Sequence, residues 1–172
     1  MPQKRLCCSA ASGFTPMARR LMAILACALL VPAGSAAAPP GLPPAADLQR
    51  DGLAMARSGQ PLVVLYSQNG CGWCEQARSY LVPMAAGSDA AALFRQVDLD
   101  ADTPLTDFGG QRTTQRAFAA AQQVRFTPTV VVYGPRGERI GEAIVGMRLP
   151  DFYALYIEQA IAVAREQLKP QH

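Results

Sequence analysis

Histidine is almost missing from this chain: there is one, and it is the last residue, His172. A Ser-His-Asp arrangement is therefore excluded, and so is a metal centre built on several imidazoles. Acidic residues are missing from the N-terminal stretch, where the first is Asp47. Aromatic residues make up 7% of the chain and include a single tryptophan, Trp73. There is no Gly-rich phosphate cradle and no basic run interleaved with aromatics, which argues against nucleotide and nucleic-acid binding. Cysteine is scarce too, with Cys7, Cys8 and Cys27 near the N-terminus and only Cys71 and Cys74 beyond it. A closed zinc site needs four ligands, which that later pair cannot supply.

What is present at the N-terminus reads as an export signal. Lys4, Arg5, Arg19 and Arg20 are basic, Leu21 to Val31 is an apolar run, and the small residues Ala33 to Ala38 follow. A charged start, a short apolar centre and an A-x-A-like exit describe a cleavable signal peptide over residues 1–37. The run is short for a membrane span and is interrupted by Pro32 and Gly34. Met17 opens a more compact signal and is the expected true start. Cys27 follows Ile24-Leu25-Ala26, which permits a lipoprotein reading, but the apolar run continues past it. The whole chain carries 16 Lys+Arg and 13 Asp+Glu, and four of those basic residues lie in the leader, so the remainder is close to neutral. About 135 residues remain, enough for one domain with its own core.

Cys71-Gly72-Trp73-Cys74 is the centre of that remainder. The apolar run Pro61 to Tyr66 precedes it and the amphipathic stretch Glu75 to Leu81 follows it. Strand, short loop, Cys-x-x-Cys and helix is the setting in which such a pair reads as redox-active. The helix start favours thiolate over thiol at the first cysteine. A static staple is the competing reading, but a loop this short gains little from cross-linking.

Pro39 to Pro44 reads as a stiff linker, so residues 38–44 are assigned to it and residues 45–168 to the domain, with 169–172 as a tail. Helical spacing is expected over Ala45 to Arg57 through Leu48, Leu53 and Met55. Pro61 to Ser67 is a buried strand, and Gly72 to Met84 a helix that Pro83 kinks or ends. Phe94 to Leu99 is a second strand, Asp100 to Arg112 a polar loop, and Thr113 to Gln123 an alanine-rich helix. Thr129 to Tyr133 is the strongest strand signal, and Glu138 to Val145 pairs back on it across the turn Gly134-Pro135-Arg136-Gly137. Leu149 to Leu168 is a terminal helix with Phe152, Leu155, Tyr156, Ile161 and Leu168 toward the core. This order gives an α/β fold whose first three strands are parallel and whose last adds an antiparallel edge.

With Cys71-Gly72-Trp73-Cys74 between strand and helix, Thr127-Pro128 heading a later strand, and a Gly-rich hairpin before the last helix, residues 45–168 resemble the thioredoxin-like superfamily. The chain looks most like its exported bacterial members, including SoxW-type periplasmic thioredoxins. The resemblance implies a thioredoxin fold and thiol:disulfide oxidoreductase activity without cofactor or metal. Cys71 would be the nucleophile and Cys74 the resolving thiol. Pro128 would be a cis-proline facing the motif, with Thr127 nearest the thiols and its backbone offered to an extended substrate. A plain strand-edge proline is the blander reading of Pro128. Gly72 and Trp73, between the thiols, are expected to contact substrate, although Trp73 could be a packed surface aromatic.

This chain departs from cytosolic thioredoxins where they carry a buried aspartate, six residues before the first cysteine; that position is Leu65, which leaves Glu75 and Asp98 as candidates for proton handling. It also has Gly70 where they have tryptophan. The Asp98-Asp100-Asp102 alternation lacks the glycine and closing glutamate of a calcium loop and reads as solvated. The expected function is a monomeric, periplasmic oxidoreductase that reduces exported proteins and is re-reduced by a membrane electron-transfer partner. The alternatives are a disulfide oxidase or isomerase, or a client-binding chaperone-like module with incidental thiols. Copper delivery is disfavoured because no Met or His lies near the cysteines in sequence.

Overall fold

A computed structural model of the chain describes residues 41–147 and 149–169. The signal peptide, the start at Met17, Cys27, the first part of the linker and His172 lie outside the described residues.

Leu62–Ser67 (β1) is Leu-Val-Val-Leu-Tyr-Ser and is buried throughout. An apolar strand with no polar face has to lie inside a sheet covered on both sides. It does: the main sheet has the order β2-β1-β5-β6, with Leu93–Asp98 as β2, Thr129–Tyr133 as β5 and Ile144–Val145 as β6. Alternation along the strands then divides the core. Val63 and Leu65 join Val130 and Val132 under helices Gly72–Ala86 (α2) and Tyr153–Leu168 (α4). Leu62, Val64 and Tyr66 join Val131 and Tyr133 under Leu48–Ser58 (α1) and Gln115–Ala121 (α3).

The expectation of three parallel strands is corrected by the pairing. β1 and β2 are parallel, but β5 runs antiparallel to β1, with Leu65 opposite Val130 and Tyr66 opposite Thr129. A parallel third strand needs a crossover helix spanning the sheet. α3 has seven residues, roughly 10 Å at the helical rise, so the chain re-enters the sheet at the end where β2 finishes. The sheet is mixed, and helices flank both faces.

Other elements also depart from the sequence expectation. The polar loop over 100–112 contains a strand, Pro104–Thr106 (β3), that pairs antiparallel with Arg112–Thr114 (β4) in a separate two-stranded sheet. α2 continues to Ala86 through Pro83. The carbonyl that Pro83 leaves without a donor belongs to Ser79, which is exposed, so water can satisfy it. The hairpin partner of β5 is broken: Ile140 N–H donates to the Val132 carbonyl, but Ile144 faces Val130, two residues more than a regular ladder holds. Gly141, at φ 76°, sits in that excess and gives the backbone the left-handed turn a bulge requires. The terminal helix begins as a 3-10 turn at Pro150–Phe152 before α4. Its core stripe is Tyr153, Ile157, Ile161 and Ala164, whereas Phe152, Leu155 and Tyr156 are exposed. Leu53 of α1 is likewise exposed, while Leu48 and Met55 are buried as expected.

The expected linker is partly structural. Leu42 is buried with the α2–α4 core, the Pro43 carbonyl accepts from Gln96 N–H (2.9 Å), and Ala45 N–H donates to the Gln96 carbonyl (2.7 Å). Residues 42–45 thus cover the open edge of β2, which would otherwise present unpaired backbone groups. Asp47 caps α1 by accepting from Arg50 N–H (2.8 Å). Asp51 of α1 receives both Nε (2.9 Å) and Nη2 (2.7 Å) of Arg95 from β2, a bidentate pair that fixes helix to sheet.

Candidate active site

β1 delivers the chain to the edge of the sheet at Ser67, and residues 68–70 turn it into α2. Asn69 N–H in this turn donates to Asp100 Oδ2 (3.1 Å). Cys71 is the N-cap of α2: its sulfur accepts from Cys74 N–H at 3.1 Å. That N–H, in the first turn of the helix, is shared between the Cys71 sulfur and the Cys71 carbonyl (3.0 Å). Cys71 and Cys74 form a disulfide with their Cα atoms 5.2 Å apart. Cys74 is fully buried on the core face of α2, while Cys71 remains partly accessible. The pair thus has one reachable and one protected sulfur, at a helix N-terminus.

Opposite the pair lies the loop entering β5. The Thr127–Pro128 peptide bond is cis, and Thr127 Oγ1 lies 3.7 Å from Cys71 Sγ. Gly146 N–H donates to the Pro128 carbonyl (2.8 Å), which ties this loop to the end of β6. Cys71, Cys74, Thr127 and Pro128 are therefore brought together from distant parts of the chain. Gly72 and Trp73 are on the exposed first turn of α2, and the Trp73 side chain is 60% exposed. Phe126, beside Thr127, is 71% exposed. Sequence reasoning passed over Phe126, although its place before Thr127-Pro128 was a usable signal.

The two candidates for proton handling are engaged elsewhere. Glu75 Oε1 pairs with Arg78 Nη1 (3.0 Å), and Asp98 Oδ1 accepts from Gln96 Nε2 (2.8 Å). Leu65, on the same face of β1 as Ser67, is fully buried and offers no proton acceptor. Arg78 itself was not anticipated. Its Nε donates to Gln96 Oε1 (2.9 Å) and its Nη2 to Ser67 Oγ (3.1 Å), so one guanidinium joins α2, β1 and β2 at the strand end that leads into the motif. A buried serine at the end of an apolar strand, and an arginine one turn beyond Cys74, were its traces in the sequence. Among the described residues no three His, Cys, Asp or Glu side chains converge as a metal site.

The Thioredoxin-like domain family model matches residues 49–161. No curated protein matches the chain. Among solved structures, the oxidised mitochondrial thioredoxin 3 of Saccharomyces cerevisiae is similar at 20% identity, over 70% of this chain and 93% of that one, with a TM-score of 0.48. A poplar thioredoxin h is similar at 18% identity over 64% and 85%, TM-score 0.48. The reduced thioredoxin of Schistosoma mansoni is similar at 19% identity over 71% and 96%, TM-score 0.48.

Proposed function

The chain belongs to the thioredoxin-like domain family, and on that premise we propose that it is a thiol:disulfide oxidoreductase working on exported proteins. The observation that carries the reading is the Cys71–Cys74 disulfide at the start of α2, facing Thr127. In the reduced protein, Cys71 thiolate attacks one sulfur of a substrate disulfide. The substrate bond breaks, a Cys71–substrate mixed disulfide forms, and the leaving thiolate takes a proton. Cys74 then loses its proton and attacks the Cys71 sulfur, which releases the second substrate thiol. Two electrons have passed to the substrate, its two thiols have gained one proton from Cys74 and one from solvent, and the protein is left with the Cys71–Cys74 bond. Thr127 and Pro128 would align an extended substrate backbone, and Trp73 and Phe126 would offer it apolar contact.

The reductive direction, the periplasmic location through the leader over 1–37, the kinship with SoxW-type proteins and a membrane electron donor are parts of this proposal. Insulin reduction by the dithiol form tests its chemistry. Cys71→Ser should reduce turnover to background. Cys74→Ser should accumulate exported, cysteine-bearing clients as covalent adducts on non-reducing gels, because the domain holds no third thiol to resolve them. Equilibration against glutathione tests direction: a potential near the strongly oxidising end overturns the reductase reading and favours an oxidase. The exposed Trp73 and Phe126 favour one second reading, a client-holding module. Retention of unfolded clients by Cys71→Ser, together with a wild type inactive on insulin, would select it.

A further inference from the structure

We propose that Arg78 is the positioning residue of the dithiol: a fixed guanidinium beneath the first turn of α2 that favours the thiolate state, with Glu75 as its partial counter-charge. The inference rests on the dithiol exchange proposed above and names what regulates it.

Cys71, Cys74 and Arg78 fall at i, i+3 and i+7, one stripe along α2. Long side chains on a helix lean toward its N-terminus, and the contacts of Arg78 follow that rule. Nη1 lies 3.0 Å from Glu75 Oε1 in the preceding turn. Nη2 lies 3.1 Å from Ser67 Oγ, at the strand end that leads into the motif. Nε is held by Gln96 at 2.9 Å. The hydrogen bonds of Nε and Nη2 fix where the charge of this planar group sits, while Nη1 meets Glu75 as an ion pair only and has no hydrogen-bond partner among the described residues. Ser67 is fully buried and the Arg78 side chain is 18% exposed, so the charge acts through a medium less screening than water. Its carboxylate partner is 74% exposed. A solvated carboxylate compensates a buried cation poorly, which leaves net positive character between the end of β1 and the first turn of α2. The other acidic groups nearby are Asp98, which accepts from Gln96, and Asp100, which holds Asn69 N–H. Both bond neutral donors, and neither pairs with Arg78.

Reducing the disulfide adds two electrons and up to two protons. A nearby cation stabilises the form in which one sulfur stays ionised, and so shifts the equilibrium toward the dithiol. Arg78→Met removes the charge and keeps the apolar stem. The pH midpoint for alkylation of Cys71 should rise by about one unit. The glutathione equilibrium should move about tenfold toward the protein disulfide, about 30 mV more reducing. Arg78→Lys should recover most of both. Glu75→Gln, at an exposed position that tolerates the change, should move the midpoint down by a few tenths of a unit. A merely structural arginine predicts a lower melting temperature for Arg78→Met with the midpoint and potential unmoved, and that result overturns the proposal. If Arg78→Met does not fold, a Glu75→Gln midpoint that stays or rises overturns it instead. A wild type that alkylates as expected but fails on insulin would refute the exchange reading and leave these measurements standing.

Discussion

At the scale of single residues, Tyr153 carries a buried hydroxyl without a hydrogen-bond partner among the described residues. Its ring earns the position: it packs on Tyr80 of α2 with centroids 5.6 Å apart and belongs to the α2–α4 core. An unpaired buried hydroxyl costs its desolvation, on the order of 1–3 kcal/mol. Tyr153→Phe keeps the ring and removes that cost. It should therefore leave the urea midpoint unchanged or raise stability by up to about 1 kcal/mol; a loss beyond about 1 kcal/mol would mean that the hydroxyl has a partner. The dithiol residues were legible in the sequence because Cys71, Cys74 and Thr127-Pro128 are written in short local patterns. Arg78 was not, because Ser67, Gln96 and Glu75 become its neighbours only once the sheet order is known. The same limit misplaced Phe152, Leu155 and Tyr156: apolar residues recur around α4 often enough that period alone does not say which stripe meets β5 and α2.

At the scale of elements, α1 shows how packing overrides propensity. Gly52 sits in the middle of this helix, where alanine is favoured by roughly 1 kcal/mol. A Cβ there would lie 2.4 Å from the Pro135 carbonyl oxygen, a backbone atom in the turn after β5. The helix would have to lift off the sheet, which strains the adjacent Asp51–Arg95 pair as well. Overpacking of this kind costs about 1–3 kcal/mol or more, which exceeds the propensity gain. Gly52→Ala is therefore expected to lower stability by about 1–2 kcal/mol in a urea titration; a stabilised variant would show that the turn yields freely. β1 and β5 were legible because a buried strand is an apolar run. β3 and β4 were not, since three-residue strands such as Pro104–Thr106 carry no readable alternation and gain their pairing from position alone. The direction of β5 was misread for a related reason: strand polarity depends on how far α3 carries the chain, and helix length is least certain at its ends.

At the scale of the whole molecule, the sheet separates two environments with different chemistry. One face carries α2 and the disulfide-bonded pair; the other encloses Tyr66 and Tyr133, whose hydroxyls meet at 2.6 Å, with Tyr133 also donating to Gln122 Oε1 (3.1 Å). Burial pushes Tyr66 well above the usual phenol range. Burial also raises Tyr133, although the hydrogen bond from Tyr66 and the neighbouring Arg139 oppose it. On the first face, burial pushes Tyr153 up to about 12. All three shifts have the same sign. The folded protein holds these protons more tightly than the unfolded chain, where phenols titrate near 10. The stability they contribute is complete below pH about 10 and is lost as pH rises through the folded values, for Tyr153 between about 10 and about 12. Urea midpoints measured from pH 9 upward should thus be level at first and then fall. Tyrosinate absorbance should develop together with unfolding for the three buried rings. Tyr153→Phe should flatten part of that decline, whereas Arg78→Met should not alter it, because Arg78 answers to the thiols and touches none of these phenols. A buried fraction of tyrosinate appearing near pH 10 in a protein that stays folded would refute the burial argument.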